Sequence, residues 1–175
     1  MKIKIVVLLL ALSIFSHCSR KSNNRLTDKD FRQTEEALVG ANRMLVQRDK
    51  EKIQEYIKQN NLEMQESESG LWFGILKEGT GRQVSLNVLV TLDYEVSLLD
   101  GTRCYSSDSL GQKQFVTGNG GVESGLEEGV LMLKEGSEAL FIMPPHLAHG
   151  LQGDGDRIPA RSVIVYHINL LRVDE

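Results

Sequence analysis

Proline and cysteine are scarce in this chain of 175 residues, with 3 of the first and 2 of the second. Two cysteines cannot build a disulfide framework, and there is no Cys-x-x-Cys pair to begin a metal site. Positive charge is not in excess either. The formal charge is −4 and the isoelectric point about 5.6, which excludes the sequence-wide basic footprint of a nucleic-acid-binding protein. No internal period of roughly 20–50 residues exists, so solenoids and propellers are excluded. What remains is 41% hydrophobic and 25% charged with 16 glycines, the profile of a globular chain of one domain with an appendage.

The appendage begins at the N-terminus. Lys2 and Lys4 precede an uncharged run from Ile5 to Phe15, too short to span a bilayer and suited to the apolar core of an export signal. Ser16-His17-Cys18 and a polar stretch follow. A lone Cys directly after an apolar core resembles a bacterial lipoprotein signal, in which that Cys is acylated. Ordinary cleavage nearby and a retained anchor are the alternatives. The expected boundaries are a signal over residues 1–17, a lipidated Cys18 with a tether to residue 26, a helical extension over 27–64 and a folded domain over 65–175. Loss of Lys2 and Lys4 takes the formal charge from −4 to −6, so an acidic domain would be held to a membrane by its lipid, at about 0.8 kcal/mol per buried CH₂.

Helical signals strengthen after Thr34. Leu38, Ala41 and Leu45 share one face, as do Ile53, Tyr56 and Ile57, and such a stripe has to be buried. The domain itself and a second copy of the chain, giving a homodimer through these helices, are both open as its cover. The polar run from Gln47 to Lys52 reads as a bend or as a solvated stretch, and Asn60-Asn61 as the helix end. From Gly70 the period changes to two. Leu71–Leu76 is a short strand, and Val88, Val90, Leu92, Tyr94, Val96 and Leu98 form one face of a long one, closed by the hairpin signal Asp100-Gly101. Ser124 to Glu127 has the spacing of a capping box before a short helix. Ala139–Met143 and Val163–Val173 read as further strands around a long loop, so the class is α+β with an antiparallel sheet.

Isolated motifs add little chemistry. His146 and His149 have helical metal-pair spacing but follow two prolines and have no third ligand in view. Gly153-Asp154-Gly155-Asp156 lacks the alternating ligands and distal Glu of a calcium loop and reads as a solvated turn. Gly118-Asn119-Gly120-Gly121 has no P-loop Lys after it and reads as a plain turn. Cys104 reads as a buried small hydrophobe. No metal and no cofactor are expected.

Taken together, Leu98-Leu99-Asp100-Gly101, Ser106-Ser107, Gly125-Leu126-Glu127-Glu128-Gly129-Val130, Pro145-x-Leu147-Ala148-x-Gly150 and Ile158-Pro159 resemble the FKBP-type peptidyl-prolyl cis-trans isomerases over Val88–Val173. The lead-in from Ile53 to Trp72 is similar to that of exported members, the gliding-motility-associated lipoproteins of the Bacteroidetes among them. The resemblance implies an FKBP-like fold, a twisted antiparallel sheet wrapped around one short helix, with an N-terminal helical extension. It implies catalysis of Xaa-Pro isomerisation in exported proteins, without a covalent intermediate, in a dry apolar pocket. A non-catalytic proline-peptide or chaperone module on the same fold is the alternative.

Residue by residue, the resemblance puts Tyr94, Ile158 and Tyr166 on the pocket wall and Val122 and Glu123 at the helix start. At Glu123 the backbone N–H would bind a substrate carbonyl, so that the side chain there would matter less. Leu126 replaces an aromatic floor, His149 replaces a hydroxyl donor, and Phe115 is the aromatic preceding the helix. Cys104 and Tyr105 stand where the family has a framing Phe and an accepting Asp; Tyr105 would then supply both an aromatic wall and a hydroxyl. Tyr94, Tyr105, His149 and Tyr166 are thus the expected catalytic residues, and Cys104, Phe115, Val122, Glu123, Leu126 and Ile158 the expected substrate contacts. Apolar and aromatic residues at this spacing also fit a plain core. The implied partners are proline-containing polypeptides and, through the lipid, a membrane of the cell envelope on its periplasmic side, with no nucleic acid.

Overall fold

The computed structural model describes residues 28–174, so the export signal, Cys18 and the tether lie outside the described residues. The chain divides between Gly40 and Ala41 into two units. Among the described residues the first holds only the beginning of helix α1, which runs over Asp28–Gln59. In the second, α1 continues unbroken through the polar run, which is not solvated throughout, because Asp49 within it is buried. Gln, Arg, Lys and Glu are good helix formers, and Gln47 donates to Glu51 one turn on at 2.9 Å. Asn61, at φ 52°, ends the helix in the left-handed region where Asn is tolerated.

The rest of this unit is a seven-stranded antiparallel sheet. Its strands are β1 (Gln65–Glu66), β2 (Trp72–Lys77), β3 (Leu89–Leu98), β4 (Arg103–Ser106), β5 (Lys113–Val116), β6 (Glu138–Met143) and β7 (Ile164–Asp174). The spatial order is β1-β2-β6-β7-β3-β4, with β5 also on β3. Strand β3 is long enough to use one edge twice: Leu89–Leu92 pair with β5 and Glu95–Ser97 with β4. A one-turn helix α2 (Ser107–Leu110) lies between those two short strands. The Asp100-Gly101 turn is as expected, with Gly101 at φ 85° and Asp100 Oδ1 accepting from the Thr102 N–H at 2.9 Å.

Alternation along β6 and β7 divides the core. Ala139, Phe141, Met143, Ile164, Tyr166 and Ile168 point to one face, where Leu126 and Val130 of helix α3 (Ser124–Val130) meet them. Ile142, Val163 and Val165 point to the other and are covered by Ile53, Tyr56 and Ile57 of α1. A fully buried aliphatic side chain of this kind contributes about 1.5–3 kcal/mol. The second half of α1 is therefore covered by its own domain. The apolar stripe is not buried throughout, for Ala41 and Met44 stay exposed.

Helix α3 lies against the sheet because it carries glycine on that side. A Cβ built on Gly129 would sit 2.5 Å from the Phe141 ring, and one on Gly125 would sit 3.0 Å from Met143. The expected capping box does not form. Ser124 Oγ faces the Leu147 carbonyl at 3.4 Å, and Glu127 Oε1 accepts from the Gly120 N–H at 2.9 Å. The serine is drawn off to the turn Pro145–Leu147, and the glutamate secures the glycine-rich turn before the helix. Gly129→Ala should destabilise the protein by about 1–3 kcal/mol, because overpacking against Phe141 outweighs alanine's better helix propensity of about 1 kcal/mol; urea unfolding would read it, and an unchanged midpoint would mean that the helix can move off the sheet.

Candidate active site

A cavity of about 420 Å³ opens beside the start of α3, lined by Lys113, Gly121, Val122, Glu123, Ala148 and His149. Strand β7 supplies Tyr166 beneath it, fully buried, and β3 supplies Tyr94, half-buried. Their rings lie 6.1 Å apart between centroids and tilted by 34°, within the range of favourable aromatic pairs. The structure thus brings Tyr94, Val122, Glu123, His149 and Tyr166 together.

Two expectations are corrected at this point. The Glu123 side chain was expected to matter less than its backbone N–H, yet its carboxylate is the hub of the site. Only 9% of that side chain is exposed. Tyr166 donates its hydroxyl proton to Glu123 Oε1 at 3.0 Å, and Lys113 Nζ donates to the Tyr166 oxygen at 2.8 Å. Lys113 Nζ also stands 3.7 Å from Glu123 Oε2, and His149 Nε2 lies 3.2 Å from Oε1. The imidazole is close enough for an ion pair but is not aligned for a hydrogen bond, and Glu123 Oε2 has no hydrogen-bond partner. The pocket is accordingly charged and polar where a dry apolar one was expected.

Phe115 packs into the main core, as Tyr166 also does. Two residues earlier on the same face of β5, Lys113 reaches the rings instead. Its Nζ lies 5.0 Å from the Tyr94 centroid and 5.4 Å from that of Tyr166, which is cation–π geometry. Lys113 was missed in the sequence because a four-residue strand is too short to display alternation. The signal present was its spacing of two from Phe115. Burial, followed by the nearby negative charge of Glu123, pushes both tyrosine hydroxyls above their ordinary pKa, so both remain neutral proton donors.

The other expected residues occupy different surroundings. Leu126, Ile158 and Cys104 are buried in the main core. Burial, with the charges of Asp154 and Asp100 added, raises the Cys104 thiol, the opposite of what a nucleophile requires. The Tyr105 hydroxyl is engaged by Asp154, and the Arg157 guanidinium lies 5.4 Å from the Tyr105 ring centroid. Arg157 also donates to the Cys104 carbonyl at 2.9 Å. His146 and His149 turn to different partners, since His146 Nε2 meets the Ser69 carbonyl at 2.9 Å.

Asp154 organises the loop that covers this side. Its Oδ1 accepts from the Asp156 and Ile158 N–H groups at 2.9 and 2.8 Å. Burial alone would raise its pKa, but the Tyr105 hydroxyl, those two N–H groups and the charge of His149 outweigh it and hold the carboxyl at about 2. The same bond pushes Tyr105 up to about 12. Because the folded pKa of Asp154 is depressed, its contribution is complete above the ordinary carboxylate range and is lost as pH falls through about 2. Tyr105→Phe should move the Asp154 titration, followed by carboxyl-carbon NMR, upward toward its ordinary 3.8; an unmoved titration would mean that the hydroxyl is not what holds it down.

Known proteins resemble this chain in sequence and fold. A family model described as FKBP-type peptidyl-prolyl cis-trans isomerase matches residues 80–171. FkpA from Neisseria meningitidis is 36% identical over 134 residues, covering 71% of this chain and 46% of its own. FkpA from Aeromonas hydrophila is 36% identical over 109 residues, covering 62% and 40%. The chain thus spans about half the length of the curated relatives it matches. The crystal structure of FkpA from Escherichia coli superposes with a TM-score of 0.64 at 25% identity, over 99% of this chain and 82% of that one. On the family match, with the sheet and helix already described, the chain belongs to the FKBP-type peptidyl-prolyl cis-trans isomerase family.

Proposed function

We propose that the protein catalyses cis–trans isomerisation of Xaa-Pro bonds in exported polypeptides, from a lipid anchor at Cys18 on the periplasmic side of the cell envelope. The observation that carries the activity is that every residue lining the cavity falls within residues 80–171, the span matched by the family model. Rotation of an Xaa-Pro bond is slow, taking tens to hundreds of seconds unaided, and the folding of exported proteins waits on it. In the twisted state the amide loses resonance. A site that holds the substrate carbonyl by the Glu123 N–H, with the peptide against the tyrosine rings, favours that state without a covalent step. The anchor rests on the uncharged run Ile5–Phe15 followed by Cys18, the pattern shared with envelope lipoproteins such as those associated with gliding motility. Among the described residues no helix is long and apolar enough to cross a membrane.

One observation favours a second reading, a proline-peptide binding or chaperone module with weak turnover. The planar amide has the larger dipole, so a pocket holding the Lys113 ammonium and the Glu123 carboxylate stabilises the ground state as well as the twisted one. Uniform stabilisation of this kind tightens binding without accelerating the reaction.

Exchange NMR on a Leu-Pro peptide should show acceleration by the protein. It should rise about tenfold in the double variant Lys113→Met with Glu123→Gln, which removes both charges together. Peptide line broadening with no exchange in either form would establish the binding module instead. Metabolic labelling with a fatty-acid analogue should mark the full chain and be abolished by Cys18→Ser; label retained in that variant would end the lipid-anchor proposal.

A further inference from the structure

The polar run in α1 has a use that the isomerase reading leaves unassigned. Asp49 lies in it, 5% exposed, and a buried carboxylate has to be paired. Its partner is Arg161, whose guanidinium donates to Asp49 Oδ2 at 2.6 Å across 112 residues of sequence. Arg161 has φ 57°, a left-handed conformation that a long side chain rarely adopts, and its backbone N–H donates to the Gly150 carbonyl at 3.0 Å. That bond closes the neck of the loop 150–161, and Gly150 follows His149 directly. Inside the loop, the Asp154 N–H donates to the Ile158 carbonyl at 3.1 Å, the Ile158 N–H donates to Asp154 Oδ1 at 2.8 Å, and Ile158 is buried in the core. Around the same stretch of helix, Lys50 reaches Glu66 at 2.5 Å and Ile53 is buried on the sheet. This part of α1 therefore has a fixed position relative to the domain.

We infer that Asp49 is a positioning residue for the candidate active site. It holds Arg161 in its left-handed conformation, thereby keeps the neck of the 150–161 loop closed, and so fixes where His149 faces the cavity. The helical extension is on this account a working part of the site. The effect on catalysis rests on the isomerase reading; the effect on the loop does not.

The test uses the full chain with Asp49→Asn, Asp49→Glu and the control Ile53→Ala, which weakens the same helix without touching the loop. Amide hydrogen exchange at Arg161 and Ile158 is compared with that at Phe141 in the core. Asp49→Asn should speed exchange at Arg161 about tenfold relative to Phe141, and Asp49→Glu should restore most of the protection. On a Leu-Pro peptide, Asp49→Asn should raise KM about threefold with kcat nearly unchanged. Ile53→Ala should speed exchange at the loop and core alike and leave KM in place. Unchanged protection of Arg161 in Asp49→Asn, or loop exchange and KM in Ile53→Ala equal to those of Asp49→Asn, would overturn the inference. Absence of isomerisation by the unaltered protein would end the isomerase reading alone, since the exchange comparison still decides the role of Asp49.

Discussion

Helix α3 lies so close to the sheet that a methyl group has no room at Gly129 and little at Gly125. Everything at the candidate site depends on that approach. With Gly125 and Gly129 against Met143 and Phe141, the residue just before the helix falls directly over β7, and Glu123 meets the Tyr166 hydroxyl. A helix standing farther off would lift the carboxylate away from the tyrosine, and Lys113 would lose the partners that keep it over the rings. Glycine inside a helix costs about 1 kcal/mol relative to alanine. Here the cost is offset by contact with a core in which Leu126 and Val130 are completely buried.

The site is the second place where local cost and global order are exchanged. A glutamate with 9% of its side chain exposed is unfavourable unless it is paired. The pairing comes from three different elements: Lys113 from β5, Tyr166 from β7 and His149 from the loop after β6. The bonds from Lys113 to Tyr166 and from Tyr166 to Glu123 fix the placement of β5, β7 and the helix start more tightly than apolar contacts of the same size, because hydrogen bonds are directional, while His149 lies near without one.

Much of this was legible in the sequence, for reasons that can be named. The period of two in β3 is long enough to separate a buried face from a less buried one, and Asp100-Gly101 marks its hairpin unambiguously. The order of short motifs from Leu98 to Pro159 identified the family, and with it Tyr94, Val122, Glu123, His149 and Tyr166 as neighbours. What could not be read depended on where side chains turn in space. Ser124 and Glu127 have capping-box spacing, but the Leu147 carbonyl and the Gly120 N–H compete for them. Lys113 sits in a strand too short to show its phase, and Asp49 finds its partner 112 residues away, beyond the reach of any local pattern. The polar lining of the pocket was missed for the same reason: residue types at a helix start do not reveal that a carboxylate folds inward.

The pairing of Lys113 with Glu123 has a consequence for how other chains arrive. Opposite charges 3.7 Å apart cancel within a few ångströms, so the cavity projects little field into solvent even though it is lined by ions. This pair by itself neither draws in nor turns away an approaching molecule at long range, so any steering that falls steeply with salt has to come from charges elsewhere on the surface.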